Sequence, residues 1–367
     1  MEVVRLARSG DPMPGSAFAR PCYRIPALAV TATGRLVAAW DVRDDWRDLP
    51  GPFDLVYRTS DDHGRSWDAV RPLRRHEPGR GFGDASLIAD PGTGRLLCWY
   101  AASRGRSYFT ARPGDGLESW LAVSDDDGET WTHRELTRDL TPDWAGGMFA
   151  ASGNGIALRR GALAGSLLQP FVLRDPGTAS DFAAVAFSGD GGDSWELGER
   201  VGPGCDESKL VELCDGSVLL HARARPRRRR AISRDAGGTF TPPEPEDALR
   251  DPGCNGGLAR WGSRLACTLL DDEDRRRRLV LRLSDDDGAT WTPPIPLDLG
   301  AAGYSVAAQL ADGVLGVAYE DGDYDGIRFC RISPGEVGFD GAPVGLQPLA
   351  GRSGAARDPA AGVPTPG

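Results

Sequence analysis

One octapeptide, Ser-x-Asp-x-Gly-x-Thr/Ser-Trp/Phe, occurs five times in the chain and restricts its fold more than any other feature. It occupies residues 60–67 (SDDHGRSW), 124–131 (SDDDGETW), 188–195 (SGDGGDSW), 233–240 (SRDAGGTF) and 284–291 (SDDDGATW), with start-to-start steps of 64, 64, 45 and 51 residues. A unit returning at such intervals marks a repeat architecture. Alternating apolar segments such as DLVYRTS and RLVLRLS precede the copies, so each is expected to be the turn that ends a strand. The Asp can accept local N–H groups, and the Gly supplies a backbone angle closed to other residues. The aromatic residue offers a large apolar anchor against a neighbouring sheet. The motif is therefore structural rather than catalytic.

A second series of turns interleaves with the first, around Gly34, Gly94, Gly161, Gly216, Gly262 and Gly313, each set between apolar runs such as IPALAV and RLVAAW. These are hairpin signals. Six hairpins spread over most of the chain give units of about 54 residues, the length of a four-stranded blade with its loops. The expectation is an all-β fold, a six-bladed β-propeller with its repeats at the outer turns. Gly at 49 and Pro at 28, about a fifth of all residues, suit many short strands. Residues 1–350 are expected to form this single domain, closed by residues 2–6 as a strand of the last unit. The Gly-, Ala- and Pro-rich residues 351–367 are expected to be a disordered tail.

Composition excludes several classes of function. A net charge of −10 argues against nucleic acid as a partner, because phosphate contacts need excess Lys and Arg. Apolar runs reach only six to eight residues, too short to cross a membrane as a helix. Seven scattered cysteines with no CxxC pair, and four histidines without ligand spacing, point to free thiols and to no metal centre. The opening MEVVRLARSGDPMP shows no basic stretch leading into an apolar one, so a cytoplasmic location is expected, with non-classical secretion left open. A closed ring without an obvious apolar patch is expected to be a monomer.

The residues that can carry chemistry stand at strand starts and in loops. Arg24 follows Tyr23 and precedes Ile25-Pro26. Arg43 and Asp48 lie in the charged segment AWDVRDDWRDLPGPFDL, too long for a tight hairpin. Glu207 precedes the fourth hairpin in GPGCDESKLVEL, and Arg223 ends it at LLHAR. Four arginines, Arg275 to Arg278, open the strand before the fifth octapeptide. Tyr304 follows Gly303 in what is expected to be a loop. The basic run 225–230 is expected to be a solvated outer loop.

From about residue 20 to 345 the chain resembles the bacterial exo-α-sialidases (neuraminidases). The resemblance is carried by Tyr-Arg-Ile-Pro at 23–26, the octapeptides (that family's Asp-boxes), Glu-x-Lys-x-Val-Glu-Leu-x-Asp-Gly from Glu207, and Gly-Tyr-Ser at 303–305. Gly83-Asp84, the SGNGI stretch 152–156 and LGVAYE at 315–320 add to it. It implies that Arg24, Arg223 and Arg276 grip a sialic acid carboxylate, Arg276 being favoured within its run because it stands eight residues before Ser284. It further implies Tyr304 as nucleophile, Glu207 as its base and Asp48 as acid/base. Arg43 would touch the 4-hydroxyl region, Asp84 the N-acetyl amide, and Glu320 would orient Arg24. Ala85 stands where a proline is common in the family.

These residue types suit the chemistry. The carbon attacked in a ketosidic sugar acid bears a carboxylate, so an anionic nucleophile would meet like charge at close range. A neutral phenol avoids this, but with a reference pKa of about 10 it needs a base. Guanidinium groups pair with carboxylates in a bidentate fork. The expected activity is retaining hydrolysis of terminal α-linked sialic acids, on small sialosides or sialylated glycans, with no cofactor. Two alternatives stand beside it. One is an enzyme for a related nonulosonic acid, or one releasing an anhydro-sugar; the other is a noncatalytic sugar-acid-binding propeller.

Overall fold

In the computed structural model, which describes residues 1–337 and Leu349, all five octapeptides adopt one geometry. In the first, Ser60 Oγ accepts the Gly64 N–H at 2.8 Å, while Asp62 accepts the Ser66 N–H at 2.8 Å and the Ser66 hydroxyl at 2.6 Å. The serine-to-glycine bond recurs at Gly128, Gly192, Gly237 and Gly288. Gly64 has φ +85°, and a Cβ there would lie 2.3 Å from the Phe329 ring, so glycine is required twice over.

The aromatic residue of each turn reaches the preceding sheet. Trp131 meets Tyr57 edge-on at 5.7 Å and Trp195 meets Trp99 at 5.1 Å. Trp67 meets Phe329, near the other end of the described chain, at 5.2 Å. First and last units are thus neighbours, as a ring demands. Such aromatic pairs add about 0.5–1.5 kcal/mol beyond their buried area.

The described residues are all-β apart from two short helical turns, and their mostly antiparallel sheets take a propeller arrangement, with Gly153–Asn154 pairing parallel to Gly81–Ala89. The first sheet holds Cys22–Val30, Leu36–Arg43, Asp54–Ser60 and Arg71–Arg74. The second is built on Gly81–Ala89 and Leu96–Ser103, the third on Leu167–Asp175 and Ser180–Ser188, and the fourth on Ser208–Glu212 and Val218–Ala222. The rest of the described chain forms one seven-stranded sheet from Gly257–Trp261 to Glu2–Arg8. Its long strand Ile295–Gln309 pairs through residues 295–301 with Arg277–Ser284 and through residues 302–309 with Leu315–Asp321. Glu2–Arg8 completes it by pairing antiparallel with Gly326–Ile332, the closure expected for residues 2–6. The proposed tail, 351–367, lies outside the described residues.

The basic run departs from expectation. Arg227–Ser233 is a strand, and Arg228 points inward, buried against Asp251 at 3.0 Å and the Cys254 carbonyl at 3.2 Å. The strand shifts register between Arg227 and Arg229, and this irregularity turns Arg228 into the protein, where burial demands a carboxylate partner. Its neighbours Arg227, Arg229 and Arg230 bond Glu273, the Pro203 carbonyl and the Gly288 carbonyl.

Candidate active site

Three strands break register where a functional residue stands. Cys22–Val30 shifts between Arg24 and Ala27, with Ile25 at φ +60°. Gly81–Ala89 shifts between Gly83 and Ser86, with Asp84 at φ +62°. Ile295–Gln309 shifts between Ala302 and Ser305, so Tyr304 sits on a bulged strand and not in the expected loop. A bulge re-aims side chains that regular pleating would direct elsewhere.

The side chains so placed meet at one phenol. The guanidinium carbons of Arg24, Arg223 and Arg276 lie 5.8, 5.8 and 5.4 Å from the centre of the Tyr304 ring. Of the four consecutive arginines only Arg276 is placed there. Arg277 and Arg278 are half exposed and pair with Asp272 and Asp271. The Tyr304 hydroxyl donates to Glu207 Oε2 and accepts from Arg223 Nη1 at 2.7 Å, while Arg223 also reaches Glu207 Oε2 at 2.6 Å.

Glu320 is fully buried and ties two of these groups together. Its Oε1 accepts Arg24 Nε at 3.2 Å and the Ile25 N–H at 2.9 Å, and its Oε2 accepts the Tyr304 N–H at 3.0 Å. The Gly of the Gly-Tyr pair makes this possible, because a Cβ on Gly303 would stand 2.0 Å from Glu320 Oε2. Asp48, 72 % exposed, bridges Arg24 Nη1 at 3.0 Å and Arg43 Nη1 at 2.8 Å. Arg43 is itself held by buried Asp41 at 2.6 Å, and Asp41 also accepts the Asp84 N–H at 3.0 Å. All nine residues singled out from the sequence therefore belong to one connected cluster.

The electrostatics divide the site. Burial pushes the Tyr304 phenol well above its ordinary pKa; Arg223 opposes this and Glu207 adds to it. The group rests neutral. Burial also acts to raise Glu207, but Arg223, Ser152, Tyr304 and Lys209 together outweigh it and hold the carboxyl below the ordinary glutamate value. A neutral phenol beside an ionised carboxylate is the resting state a base-assisted nucleophile requires. For Asp48 desolvation works upward, while Arg24 and Arg43 prevail and keep it below the usual carboxylate range. On the far side, burial and mutual repulsion raise Asp84 well above that range, and burial lifts Asp41 to about 6.

Several residues escaped the sequence reading. Tyr324 stacks its ring 4.4 Å from the Arg24 guanidinium carbon, and its hydroxyl accepts Arg276 Nη1 at 3.2 Å, bracketing two of the three arginines. Asp206 pairs with Arg223 Nε at 3.1 Å. Ser152, Asn255 and Lys209 form a buried polar group around Glu207. Ser152 and Lys209 lie inside motifs that carried the resemblance, yet nothing in their spacing assigned them a task.

The chain is similar to known proteins in sequence and in fold. The family model described as "BNR repeat-like domain" matches residues 34–317. A sialidase of Micromonospora viridifaciens is 38 % identical over 355 residues, covering 90 % of this chain and 54 % of that protein. The chain thus spans about half the length of that relative. Among solved structures, Hadza microbial sialidase Hz136 superposes with a TM-score of 0.77 at 25 % identity, over 85 % of this chain and 66 % of that one. A leech intramolecular trans-sialidase shares the fold, with a TM-score of 0.79 at 16 % identity, over 90 % of this chain and 71 % of the other.

Proposed function

The chain belongs to the BNR repeat-like domain family, and from that premise we propose that it is a retaining exo-α-sialidase. We read the seven-stranded sheet as two blades joined through Ile295–Gln309, which makes six blades in the ring. The observation that carries the reading is the placement of three guanidinium carbons within 5.4–5.8 Å of one neutral tyrosine ring whose hydroxyl rests on a carboxylate. The charge pattern suits an anionic sugar whose reacting carbon carries a carboxylate.

In the proposed reaction Arg24, Arg223 and Arg276 hold the substrate carboxylate. The Tyr304 oxygen attacks the anomeric carbon while its proton passes to Glu207 Oε2. The bond to the aglycone oxygen breaks, and that oxygen takes a proton from Asp48. In the second half Asp48 removes a proton from water, which displaces Tyr304 from the sugar, and Glu207 returns its proton to the phenolate. Two inversions give net retention. Tyrosine nucleophiles are the known sialidase departure from the two-carboxylate pattern of retaining glycosidases. Arg43 and Asp84 line the side proposed for the 4-hydroxyl and the N-acetyl amide. Every assigned group comes from a single chain, so a monomer suffices. Small sialosides and sialylated glycans are the proposed substrates.

The test is an aryl α-ketoside of sialic acid, followed for aglycone release and for the first-formed sugar by NMR and mass spectrometry. Free sialic acid appearing first as the α-anomer supports the proposal. The β-anomer first, an anhydro-sugar, or binding without release would overturn it.

A further inference from the structure

The two oxygens of Glu207 are not equivalent. Oε2 faces Tyr304 and Arg223, whereas Oε1 accepts Ser152 Oγ at 2.6 Å and Asn255 Nδ2 at 3.1 Å. Asn255 can serve there only with its NH₂ end toward Glu207, because its oxygen would repel the carboxylate. A third side chain fixes that orientation. Lys209, 1 % exposed, places Nζ 2.6 Å from Asn255 Oδ1 and 2.6 Å from the Ser152 carbonyl. An ammonium group has donors and no acceptor. Asn255 must therefore give it Oδ1, which leaves Nδ2 for Glu207 and for the Ser152 carbonyl, at 2.9 Å.

The surroundings favour this cation for a task other than packing. Its two direct partners are neutral, and burying a charge without a carboxylate contact is costly. A methionine would fill similar space without that cost. Burial, with Arg228 adding to it, pulls the Lys209 ammonium down to about 7, while Glu207 and the Cys254 thiol oppose the fall and Arg223 lies beyond Glu207, so the group is cationic on the acid side of neutrality. Gly153 leaves it room, since a Cβ there would stand 2.9 Å from Lys209 Cε.

We propose that Lys209 is a positioning residue for the Glu207–Tyr304 pair: by donating to Asn255 Oδ1 and the Ser152 carbonyl it locks the Asn255 amide, whose Nδ2 then helps fill the rear oxygen of Glu207 and reserves Oε2 for the phenol proton. This rests on the reading of Glu207 as the base. Its removal frees Asn255 to turn over, removes a positive charge behind Glu207, and makes that carboxylate easier to protonate.

The test is Lys209→Met, assayed on the aryl α-sialoside with full pH profiles. We expect kcat to fall by about 10–100-fold, the scale seen when residues that orient metal ligands are removed, with KM nearly unchanged because the three arginines are untouched. The acid limb of the kcat profile should move to higher pH, which a loss of packing alone would not cause. If Lys209→Met does not fold, Asn255→Asp carries the test, since a carboxylate facing Glu207 should move the same limb in the same direction. A wild-type chain that turns over, with variants keeping its kcat and pH profile, overturns this proposal alone. A wild-type chain without turnover overturns the sialidase reading and this proposal with it.

Discussion

Asp48 Oδ1 lies 3.0 Å from Arg24 Nη1, so in the free protein an internal carboxylate already sits against an arginine assigned to the substrate carboxylate. The two anions cannot share that guanidinium without repulsion, and substrate must release Asp48 to the leaving group. Asp48→Ala should therefore have opposite effects on turnover and binding. Loss of general acid/base catalysis should lower kcat by about 10²–10⁴-fold. Exposed ion pairs are worth at most about 1 kcal/mol, so a nonhydrolysable sialic acid analogue should bind up to about fivefold more tightly. Calorimetric titration of both proteins checks this; weaker binding by the variant would show that Asp48 holds the ligand instead of competing with it.

The same pair predicts a separation of pH profiles. A general acid must carry its proton, and Arg24 and Arg43 hold Asp48 below the usual carboxylate range in the free protein. Once the substrate carboxylate neutralises Arg24, that depression is relieved and the Asp48 pKa rises. The profile of kcat/KM reports the free protein and that of kcat the complex. The alkaline limb of kcat should accordingly lie at higher pH than that of kcat/KM. Coincident limbs would mean that Asp48 does not exchange partners on binding.

Tyr304 and Glu207, the proposed nucleophile and base, share one hydrogen bond. Tyr304→Phe removes the attacking oxygen and Glu207→Gln removes the acceptor, while both keep the shape of the site. Each should lower kcat by at least about 10²–10⁴-fold and leave the circular dichroism spectrum unchanged. Turnover at the wild-type rate in both would dismiss the assigned roles.

The sequence showed what repeats and what is local. Each octapeptide is a closed set of hydrogen bonds within eight residues, so its geometry is written in its own letters. Arg276 was singled out among four arginines by the family resemblance, which favours the position eight residues before Ser284. Tyr304 was misplaced because Gly303 and the alanines before it look like a loop, whereas a bulge keeps them within a strand. Arg228 was missed because the register shift that turns it inward leaves no mark in a run of like charges, and its partner Asp251 lies 23 residues away. Lys209 stands two residues from Glu207, but its meaning depends on Ser152 and Asn255, which only the closed ring brings near. Partner choice across units is a three-dimensional property.

The octapeptides offer a control in which structure should change and chemistry should not. Asp62→Ala deletes the bonds from the Ser60 hydroxyl and from the Ser66 N–H and hydroxyl in one turn of five. At about 1 kcal/mol net for each bond the loss is about 3 kcal/mol, so the melting temperature should fall by about 4 °C in a chain of this length. Turnover on the aryl sialoside should stay at the wild-type value. A large loss of kcat with an unchanged melting temperature would assign this turn a catalytic part.

Gly303→Ala should act on the arginine cluster from behind. The added methyl would stand 2.0 Å from Glu320 Oε2 and 3.1 Å from Glu320 Cβ and Cδ, so rotating the carboxyl tip alone does not clear it. Glu320 is buried and bonded to Arg24 Nε and to the N–H groups of Ile25 and Tyr304. Moving it disturbs the arginine assigned to the substrate carboxylate and the backbone of the proposed nucleophile. Overpacking of this kind costs about 1–3 kcal/mol of stability, and the kinetic effect should be the larger one, with KM raised and kcat lowered together because the carboxylate grip serves both ground and transition states. Steady-state kinetics beside thermal unfolding separate the two. A variant that loses stability yet keeps its KM would mean that Glu320 shifts without moving Arg24, and that the arginine is held from its other side, where the Tyr324 ring and the Trp46 carbonyl lie.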